Sequence, residues 1–179
     1  MASGYCVWFT GLPCAGKSTL AEQLARLLGE SEQDIVIFDG DALRQTVSAD
    51  LGFSRQHRDA NAKRVAGLAA AVVGRGGIAI CALVSPYRES RASAREIVGS
   101  ANFIEVLVDT PIEVCERRDV KGLYRMARAG TIEYFTGVSD PYEPPEHPEV
   151  RVVGEGDLDN ALEPILAAIE RRTKRRAEA

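Results

Sequence analysis

The sequence lacks the features that would place the protein in a membrane or on a nucleic acid. None of its hydrophobic runs approaches the ~20 residues that a transmembrane helix needs. Its net charge of −4 gives no reason to expect nucleic acid, which is itself anionic, as a partner. Residues 1–4 contain no basic region of the kind that begins a signal peptide. We therefore expect a cytoplasmic protein with neither a membrane nor a nucleic acid as its partner.

Cysteine is scarce, and the signature of GTPases is missing. The four cysteines are not spaced as metal ligands, which favours reduced thiols in a cytoplasmic enzyme. No lysine is followed two residues later by aspartate, so the guanine-binding [NT]-K-x-D motif is absent. The segment DVKG at 119–122 is similar to a D-x-x-G switch motif, but it follows a predicted helix rather than a strand. A GTPase switch is therefore disfavoured.

Short hydrophobic runs alternate with stretches of helical period. The runs predict strands at 5–9, 35–38, 78–83, 103–108 and 150–153. Four of them are almost continuously apolar, which is typical of strands covered on both faces. Leucines at helical spacing follow Lys17 as far as Gly29, and a second apolar stripe lies within residues 56–74. This alternation predicts one three-layer α/β domain over residues 1–179, with a mainly parallel, five-stranded sheet and helices on both faces.

A proline-rich segment interrupts this alternation. After two predicted helices beyond residue 110, the sequence FTGVSDPYEPPEHPE at 135–149 has four prolines in its last eleven residues. Because proline fixes φ and lacks an N–H, an extended surface loop is predicted there. A loop of this length in a compact domain is either functional or disordered.

The most specific short motif lies between the first predicted strand and the first helix. The sequence GLPCAGKS fits G-x-x-x-x-G-K-[ST], in which backbone N–H groups and a helix N-terminus face phosphates. Lys17 is placed to reach the outer phosphates, and the Ser18 hydroxyl to bind Mg²⁺. The predicted nucleotide-binding residues are Gly11, Leu12, Pro13, Cys14, Ala15, Gly16, Lys17, Ser18 and Thr19.

Two aspartates follow the second predicted strand, in IVIFDGDALR. Open α/β sheets bind ligands at the carboxyl ends of their strands. Asp41 is the candidate base for an acceptor hydroxyl or for an Mg²⁺-bound water, and with Ser18 it forms the candidate metal site. Asp39 either supports Asp41 and shares the metal or caps the following helix.

The next segment, LGFSRQHRDANAKR, predicts a pocket for an anionic substrate. Arg58 and Asn61 are three residues apart on a predicted helix and therefore share a face. A guanidinium and an amide suit an anionic compound that forms hydrogen bonds, and Phe53 is placed to stack on a base. From the residues alone, the chain is predicted to be an Mg²⁺–ATP phosphotransferase that acts on an anionic hydroxyl compound.

Longer motifs make the chain similar to the adenylylsulfate (APS) kinases, a family with the P-loop kinase fold. The matching stretches are VWFTGLPCAGKSTLA, FDGDALR, LGFSRQHRDANAKR, SPYRESR, VCERRDVKGLYRMARAG and FTGVSDPYEPPEHPE. The resemblance implies transfer of the γ-phosphoryl group of ATP, with Mg²⁺, to the 3′-hydroxyl of adenosine 5′-phosphosulfate (APS). The product would be 3′-phosphoadenosine 5′-phosphosulfate, the activated sulfate of sulfate assimilation.

The resemblance also implies roles for individual residues. Phe53 and Phe135 would clamp the acceptor adenine between them. A lid at about 117–149 would close over ATP and bring Arg118, Arg125 and Arg128 to it. The implied substrate-binding residues are Asp41, Ala42, Leu43, Arg44, Phe53, Arg58, Asn61, Val84, Ser85, Lys121, Tyr134 and Phe135.

Ser85 completes the catalytic set with Lys17, Asp39 and Asp41, but two roles are open for it. The family serine in SPYR is sometimes described as a phosphoserine intermediate. Direct in-line transfer needs no such intermediate, which favours a binding role for Ser85.

The loop GLPCAGKS departs from the family's usual GLSGAGKS. Pro13 removes an N–H and Cys14 restricts φ, so altered phosphate binding is expected. Two other functions stay open: a P-loop kinase with a different hydroxyl acceptor, and a non-catalytic nucleotide-binding partner of a sulfurylase. The resemblance further implies a homodimer and a functional link to ATP sulfurylase.

Overall fold

The computed structural model describes residues 4–29 and 33–177. Its strands are β1 (Tyr5–Thr10), β2 (Ile35–Asp39), β3 (Ile78–Ala82), β4 (Phe103–Val108) and β5 (Val150–Val152). Its helices are α1 (Lys17–Leu28), α2 (Gly40–Arg44), α3 (Arg55–Gly74), α4 (Arg88–Val98), α5 (Ile112–Arg118), α6 (Leu123–Arg128) and α7 (Leu158–Ala177). All five predicted strands are confirmed. Two predictions include residues outside the described ranges: the single domain over residues 1–179, and the lack of a signal peptide at residues 1–4.

The five strands form one parallel sheet in the order β2-β3-β1-β4-β5. Side chains alternate between the two faces of a strand, so each face of the sheet needs its own cover. Val7 and Phe9 of β1 pack in the core cluster with α1 and α7, whereas Cys6 and Trp8 pack in the cluster with α3 and α4. The predicted three-layer α/β architecture is confirmed, and the sheet is parallel throughout.

The expectation of two-sided burial is wrong for β2. Every residue of β1, β3 and β4 is buried, but β2 is only half-buried, and Ile37 is 38% exposed. The physical reason is position, because β2 lies at the edge of the sheet and pairs only with β3.

Helix α4 was not predicted from the sequence. Its buried residues are Ser90, Arg91, Ala94 and Val98, so polar side chains occupy half of the face that packs inward.

The strand order places the functional loops together. β1 lies between β3 and β4, and in parallel sheets a crevice opens outside the carboxyl ends of such strands. The loops that follow β1, β2 and β3 all reach this edge. In the described part of the chain, no helix is long and apolar enough to cross a membrane.

Candidate active site

A cavity of about 620 Å³ lies at the carboxyl edge of the sheet. The predicted site residues that line it are Pro13, Cys14, Ala15, Gly16, Lys17, Ser18, Thr19, Asp39, Asp41, Arg44, Phe53, Arg58, Asn61, Val84, Ser85, Arg118, Lys121 and Phe135. The phosphate loop and the segment that follows β2 therefore share one cavity, although they are separated in sequence.

The other predicted site residues lie around this cavity rather than in its wall. Leu43 is buried in the core, and Tyr134 is half-exposed with its carbonyl facing Arg58. Arg128 on α6 forms an ion pair with Glu116 on α5. The remaining predicted residues outside the wall are Gly11, Leu12 and Ala42.

The phosphate loop (residues 11–18) connects β1 to α1, and Thr110 and Gly154 pack against it. Thr110 donates its Oγ1 proton to the Ala15 carbonyl over 2.8 Å and accepts the Gly154 N–H at 2.9 Å. Gly154 fits so closely that a Cβ there would lie 1.9 Å from the Ala15 oxygen. Neither residue was named from the sequence. The available signal was a glycine directly after a short strand.

Two residues of the loop have left-handed backbone conformations. Gly16, the residue before α1, has φ 106°, which suits glycine. Cys14 has φ 60°, which is unusual for a residue with a Cβ. The sequence GLPC therefore still forms the loop between β1 and α1. The backbone of Cys14 is strained there, because its φ is positive.

Lys17 is buried beneath the phosphate loop. Its Nζ donates to the carbonyl oxygens of Gly11 at 3.1 Å and Leu12 at 2.7 Å. Burial lowers the pKa of Lys17 to about 8. A poorly solvated ammonium in this position is ready to be compensated by phosphate oxygens.

The two carboxylate oxygens of Asp39 accept hydrogen bonds from different parts of the chain. Its Oδ1 accepts the backbone N–H groups of Asp41 at 2.9 Å and Ala42 at 3.3 Å, and so caps α2. Its Oδ2 accepts the Ser18 hydroxyl proton at 2.6 Å. Helix capping and a place in the site are therefore compatible roles of one side chain.

The oxygen atoms around Ser18 fit Mg²⁺. Mg²⁺ in nucleotide sites takes one or two protein oxygens and completes its shell with phosphates and water. The Ser18 hydroxyl and the Asp39 carboxylate supply such oxygens, and Asp41 lines the same cavity. Among the described residues, no cluster of three or more histidine, cysteine, aspartate or glutamate side chains is placed to hold a metal without a nucleotide.

Asp41 faces the segment between α5 and α6. Its Oδ2 lies 2.6 Å from Nζ of Lys121, which precedes α6, and both side chains are more than half exposed. Arg118 closes the cavity nearby: it donates to the carbonyls of Cys14 at 3.2 Å and Gly154 at 2.5 Å.

The second half of the cavity has aromatic and cationic walls. The guanidinium of Arg44 lies 4.2 Å from the ring centre of Phe53, and Phe53 is 48% exposed. Phe135 is buried against Tyr124 with 4.9 Å between ring centres. Two exposed or cavity-facing rings in one pocket suit a flat aromatic ligand.

The part of the cavity around Phe53 also contains two polar side chains: Arg58, which is held by hydrogen bonds, and Asn61, whose Oδ1 atom is unpaired in the described structure. Buried Arg58 donates to the carbonyls of Phe53 and Tyr134, each at 3.0 Å, and so ties the α3 entrance to the lid. The Oδ1 atom of Asn61 is buried and has no hydrogen-bond partner among the described residues. It offers an acceptor to a ligand.

Ser85 lies at the bottom of the cavity, where β3 ends. It is buried, and its Oγ accepts the Trp8 indole N–H at 3.1 Å. Trp8 was not named as a site residue from the sequence, because a tryptophan in an apolar strand is typical of a core.

Comparisons with known proteins agree with this geometry. The sequence model of the adenylylsulphate kinase family matches residues 3–153. An adenylyl-sulfate kinase of Synechococcus sp. (strain JA-3-3Ab) is 52% identical over 147 residues, which are 82% of each chain. The Mycobacterium tuberculosis APS kinase CysC, solved with AMPPNP and APS, is similar with a TM-score of 0.90 and 40% identity, over 95% of this chain and 99% of that chain. A hexameric APS kinase from Thiobacillus denitrificans is similar with a TM-score of 0.72 and 34% identity, over 96% of this chain and 30% of that one.

Proposed function

Because the chain belongs to the adenylylsulphate kinase family, we propose that it transfers the γ-phosphoryl group of ATP to the 3′-hydroxyl of APS. The observation that carries this proposal is the continuity of the cavity. The phosphate loop, Asp41 and the cationic and aromatic residues Arg44, Phe53 and Arg58 all line this one cavity. Donor and acceptor can therefore bind side by side, as direct transfer requires.

The phosphate loop and Lys17 would bind the ATP phosphates. The ammonium of Lys17 gives up its contacts with the Gly11 and Leu12 carbonyls for phosphate oxygens, which compensate a buried charge better. We assign the metal site to Ser18 and Asp41, with Asp39 beside Ser18. A bound Mg²⁺ would neutralise charge on the β- and γ-phosphate oxygens.

Asp41 is the proposed base. Its carboxylate accepts the proton of the 3′-hydroxyl as that oxygen bonds to the γ-phosphorus, and the bond to the β-phosphate oxygen breaks to release ADP. The ion pair with Lys121 holds Asp41 at the cavity. Lys121 also supplies positive charge next to the reacting groups.

The pocket around Phe53 would recognise the adenylyl group and the phosphosulfate. Phe53 and Phe135 would hold the adenine, while Arg44 and Arg58 would compensate the anionic groups. The Asn61 Oδ1 atom would accept a ligand N–H or O–H, which removes its unpaired state.

The segment 117–149 is proposed as the lid. Arg118 already contacts the phosphate loop and would bind ATP. Arg125 and Arg128 would join it only after a movement of α6, since Arg128 now pairs with Glu116.

The test is ADP release with Mg²⁺–ATP, in the presence and absence of micromolar APS, with the product identified by mass. We expect ADP release that depends on APS and a product heavier by one phosphate. ATP binding without this dependence would contradict APS as the acceptor, and the assay would then be run over a panel of hydroxyl compounds. Failure to turn over any of them would favour a non-catalytic nucleotide-binding partner of a sulfurylase.

We also propose a cytoplasmic homodimer that takes APS from an ATP sulfurylase. The four cysteines are free thiols, as a reducing compartment favours. Self-association is supported by the hexameric APS kinase described above. Light scattering during gel filtration measures the mass, and a monomer at micromolar concentration would contradict the dimer.

A further inference from the structure

Ser85 is held in a conformation that serine rarely adopts. Its φ of 35° lies in the left-handed region, which is strained for a residue with a Cβ. Its carbonyl accepts a hydrogen bond from Arg91 Nη1 at 2.7 Å, and the Thr10 hydroxyl, which lies 2.8 Å from the Val84 carbonyl, is a second, longer donor at 3.3 Å. Such strain persists only where the surroundings enforce it, and at Ser85 they do.

The stronger of these two donors is itself fixed. Arg91 is 3% exposed, and its Nε donates to the Glu105 carboxylate on β4 at 2.8 Å. The charge of Arg91 is thus compensated inside the protein, so the guanidinium is held in place for the Ser85 carbonyl. The backbone of Ser85 is therefore anchored to β1, β4 and α4 together.

The hydroxyl of Ser85 has an equally defined partner. Trp8 is fully buried, and its Nε1–H points at Ser85 Oγ over 3.1 Å. An indole nitrogen can only donate, so the serine oxygen must be the acceptor in this bond. The serine proton is then left for a different acceptor. None of the described residues accepts it, and Ser85 lines the cavity.

We propose that Trp8 is a positioning residue for the reaction: its indole N–H fixes the Ser85 hydroxyl so that this hydroxyl donates its proton to an acceptor oxygen of bound APS. The inference rests on the proposed function. It also decides between the two roles of Ser85. A nucleophilic serine needs a base to take its proton, whereas Ser85 has a donor on its oxygen and no base within hydrogen-bond distance among the described residues.

A double-mutant cycle tests this role through kinetics. Trp8→Phe removes the N–H but keeps an aromatic ring against Phe103, and Ser85→Ala removes the hydroxyl. We expect Trp8→Phe to raise the KM for APS about fivefold and Ser85→Ala about tenfold or more, with the KM for ATP unchanged. In the Ser85→Ala background, Trp8→Phe should change the KM for APS by less than about twofold.

Two controls separate positioning from packing. Phe103→Leu disturbs the same core cluster without touching the indole N–H, so it should lower stability and leave the KM for APS unchanged. Ser85→Gly removes the hydroxyl and also relieves the backbone strain, so it should raise the KM for APS as Ser85→Ala does. Independent effects of Trp8→Phe and Ser85→Ala on this KM would overturn the proposal. A wild-type enzyme that does not phosphorylate APS would instead overturn the proposed function, and this inference with it.

The wild-type protein offers a second readout that needs no change at Trp8. Trp8 is the one tryptophan of the sequence, so intrinsic tryptophan emission reports on this position alone. We expect APS to change that emission in the wild type, and the change to be largely lost in Ser85→Ala at saturating APS. An equal change in both proteins would overturn the link from Trp8 through Ser85 to APS.

Discussion

At the scale of single residues, the exposure of the Asp41–Lys121 ion pair determines how easily Asp41 is released to a substrate. Its ion pair with Lys121 spans 2.6 Å, but the two side chains are 67% and 53% exposed. An exposed pair of this kind stabilises by only about 0–1 kcal/mol. Lys121 can therefore yield Asp41 to an acceptor hydroxyl at little cost while its charge stays near the transferred phosphoryl group.

Removing the negative charge of Asp41 should separate catalysis from nucleotide binding. We expect Asp41→Asn to lower kcat by at least ~10²-fold, because an amide cannot accept the hydroxyl proton. The Kd for ATP, measured by calorimetry, should change little. Asp50→Asn is the matched control, since Asp50 pairs with Arg64 outside the cavity wall and should leave kcat unchanged. Near-normal turnover by Asp41→Asn would rule out the role of base.

The lowered pKa of Lys17 makes ATP affinity depend on pH. Burial brings this pKa from 10.5 to about 8, so the ammonium loses its proton, and its attraction for phosphate, as the pH rises through 8. The Kd for ATP, measured by calorimetry from pH 7 to 9.5, should therefore increase above pH 8.

The free energy of unfolding should show the opposite trend for Lys17. With a folded pKa below the unfolded one, the native state binds fewer protons between about pH 8 and 10.5, so the contribution of Lys17 to stability without nucleotide rises with pH in that window. In Lys17→Met both trends should be absent. An ATP affinity that is equally pH-dependent in this variant would exclude Lys17 as the titrating group.

At the scale of elements, α4 explains why the proline-rich segment is ordered. Three arginines at positions i, i+3 and i+7 of the helix point to it. Arg88 donates to the Pro144 carbonyl at 2.8 Å, Arg91 to the Glu143 carbonyl at 2.6 Å, and Arg95 to the Glu149 carboxylate at 2.7 Å. Of the two readings of this long loop, the disordered one is wrong for the described structure, because side chains of α4 replace the missing backbone ladder.

The arginines of α4 should differ in their contribution to stability according to burial. Arg91→Ala removes the shorter ion pair of Glu105, which is 10% exposed, and leaves it, among the described residues, only the 3.5 Å contact with Arg95, so we expect a loss of about 3 kcal/mol in the free energy of unfolding. Arg88→Ala removes a half-exposed ion pair with Glu146 and should cost less than about 1 kcal/mol. Urea unfolding of the two variants measures the difference. Equal losses would show that the buried Arg91–Glu105 pair contributes no more to the free energy of unfolding than the exposed Arg88–Glu146 pair.

The contact between the phosphate loop and the β5–α7 connection can be tested at its glycine. A Cβ at Gly154 would meet the Ala15 carbonyl at 1.9 Å, and both atoms belong to backbone that cannot move away cheaply. We expect Gly154→Ala to displace the phosphate loop and weaken ATP binding at least ~10-fold, the order expected when several phosphate hydrogen bonds lose their geometry. Gly67→Ala, in α3 with open space around its Cβ position, should leave ATP binding unchanged. Normal affinity of Gly154→Ala, measured by calorimetry, would contradict this.

At the scale of the whole molecule, the cavity joins segments that are far apart in the chain. The phosphate loop, the start of α3, the connection between α5 and α6 and the β5–α7 connection all line it. A ligand that fills it therefore links parts of the fold that otherwise separate on unfolding.

Nucleotide should accordingly stabilise the complete fold. A non-hydrolysable ATP analogue at about 100 times its Kd adds ~2.7 kcal/mol to the free energy of unfolding. For a chain of this size that corresponds to a rise in Tm of about 5–10 °C, measurable by scanning calorimetry. APS should raise the Tm further. No rise with saturating analogue would contradict binding to the native state.

Much of the fold was predictable because its signals are local. The three central strands are covered on both faces, so their sequences are nearly continuous apolar runs. The phosphate loop is recognisable in the sequence from its glycines and Lys17. The burial of Arg91 and Ser90 on α4 was not predictable in this way, since their partners, Glu105 and Asp59, lie on other elements. A pattern of apolar residues does not show which remote polar side chains will be such partners.

By itself, the sequence determined the five strands, the first helix and the helix within residues 56–74, the family and the set of chemical groups, since these depend on residue types at short spacings. Only the tertiary structure decided which groups meet. It paired Asp41 with Lys121 and set Trp8 against Ser85, 77 positions apart in the chain. The physical reason is that strand order and helix packing set distances between remote side chains. A donor such as the indole N–H of Trp8 acquires its function from the one acceptor that the fold places within 3.1 Å.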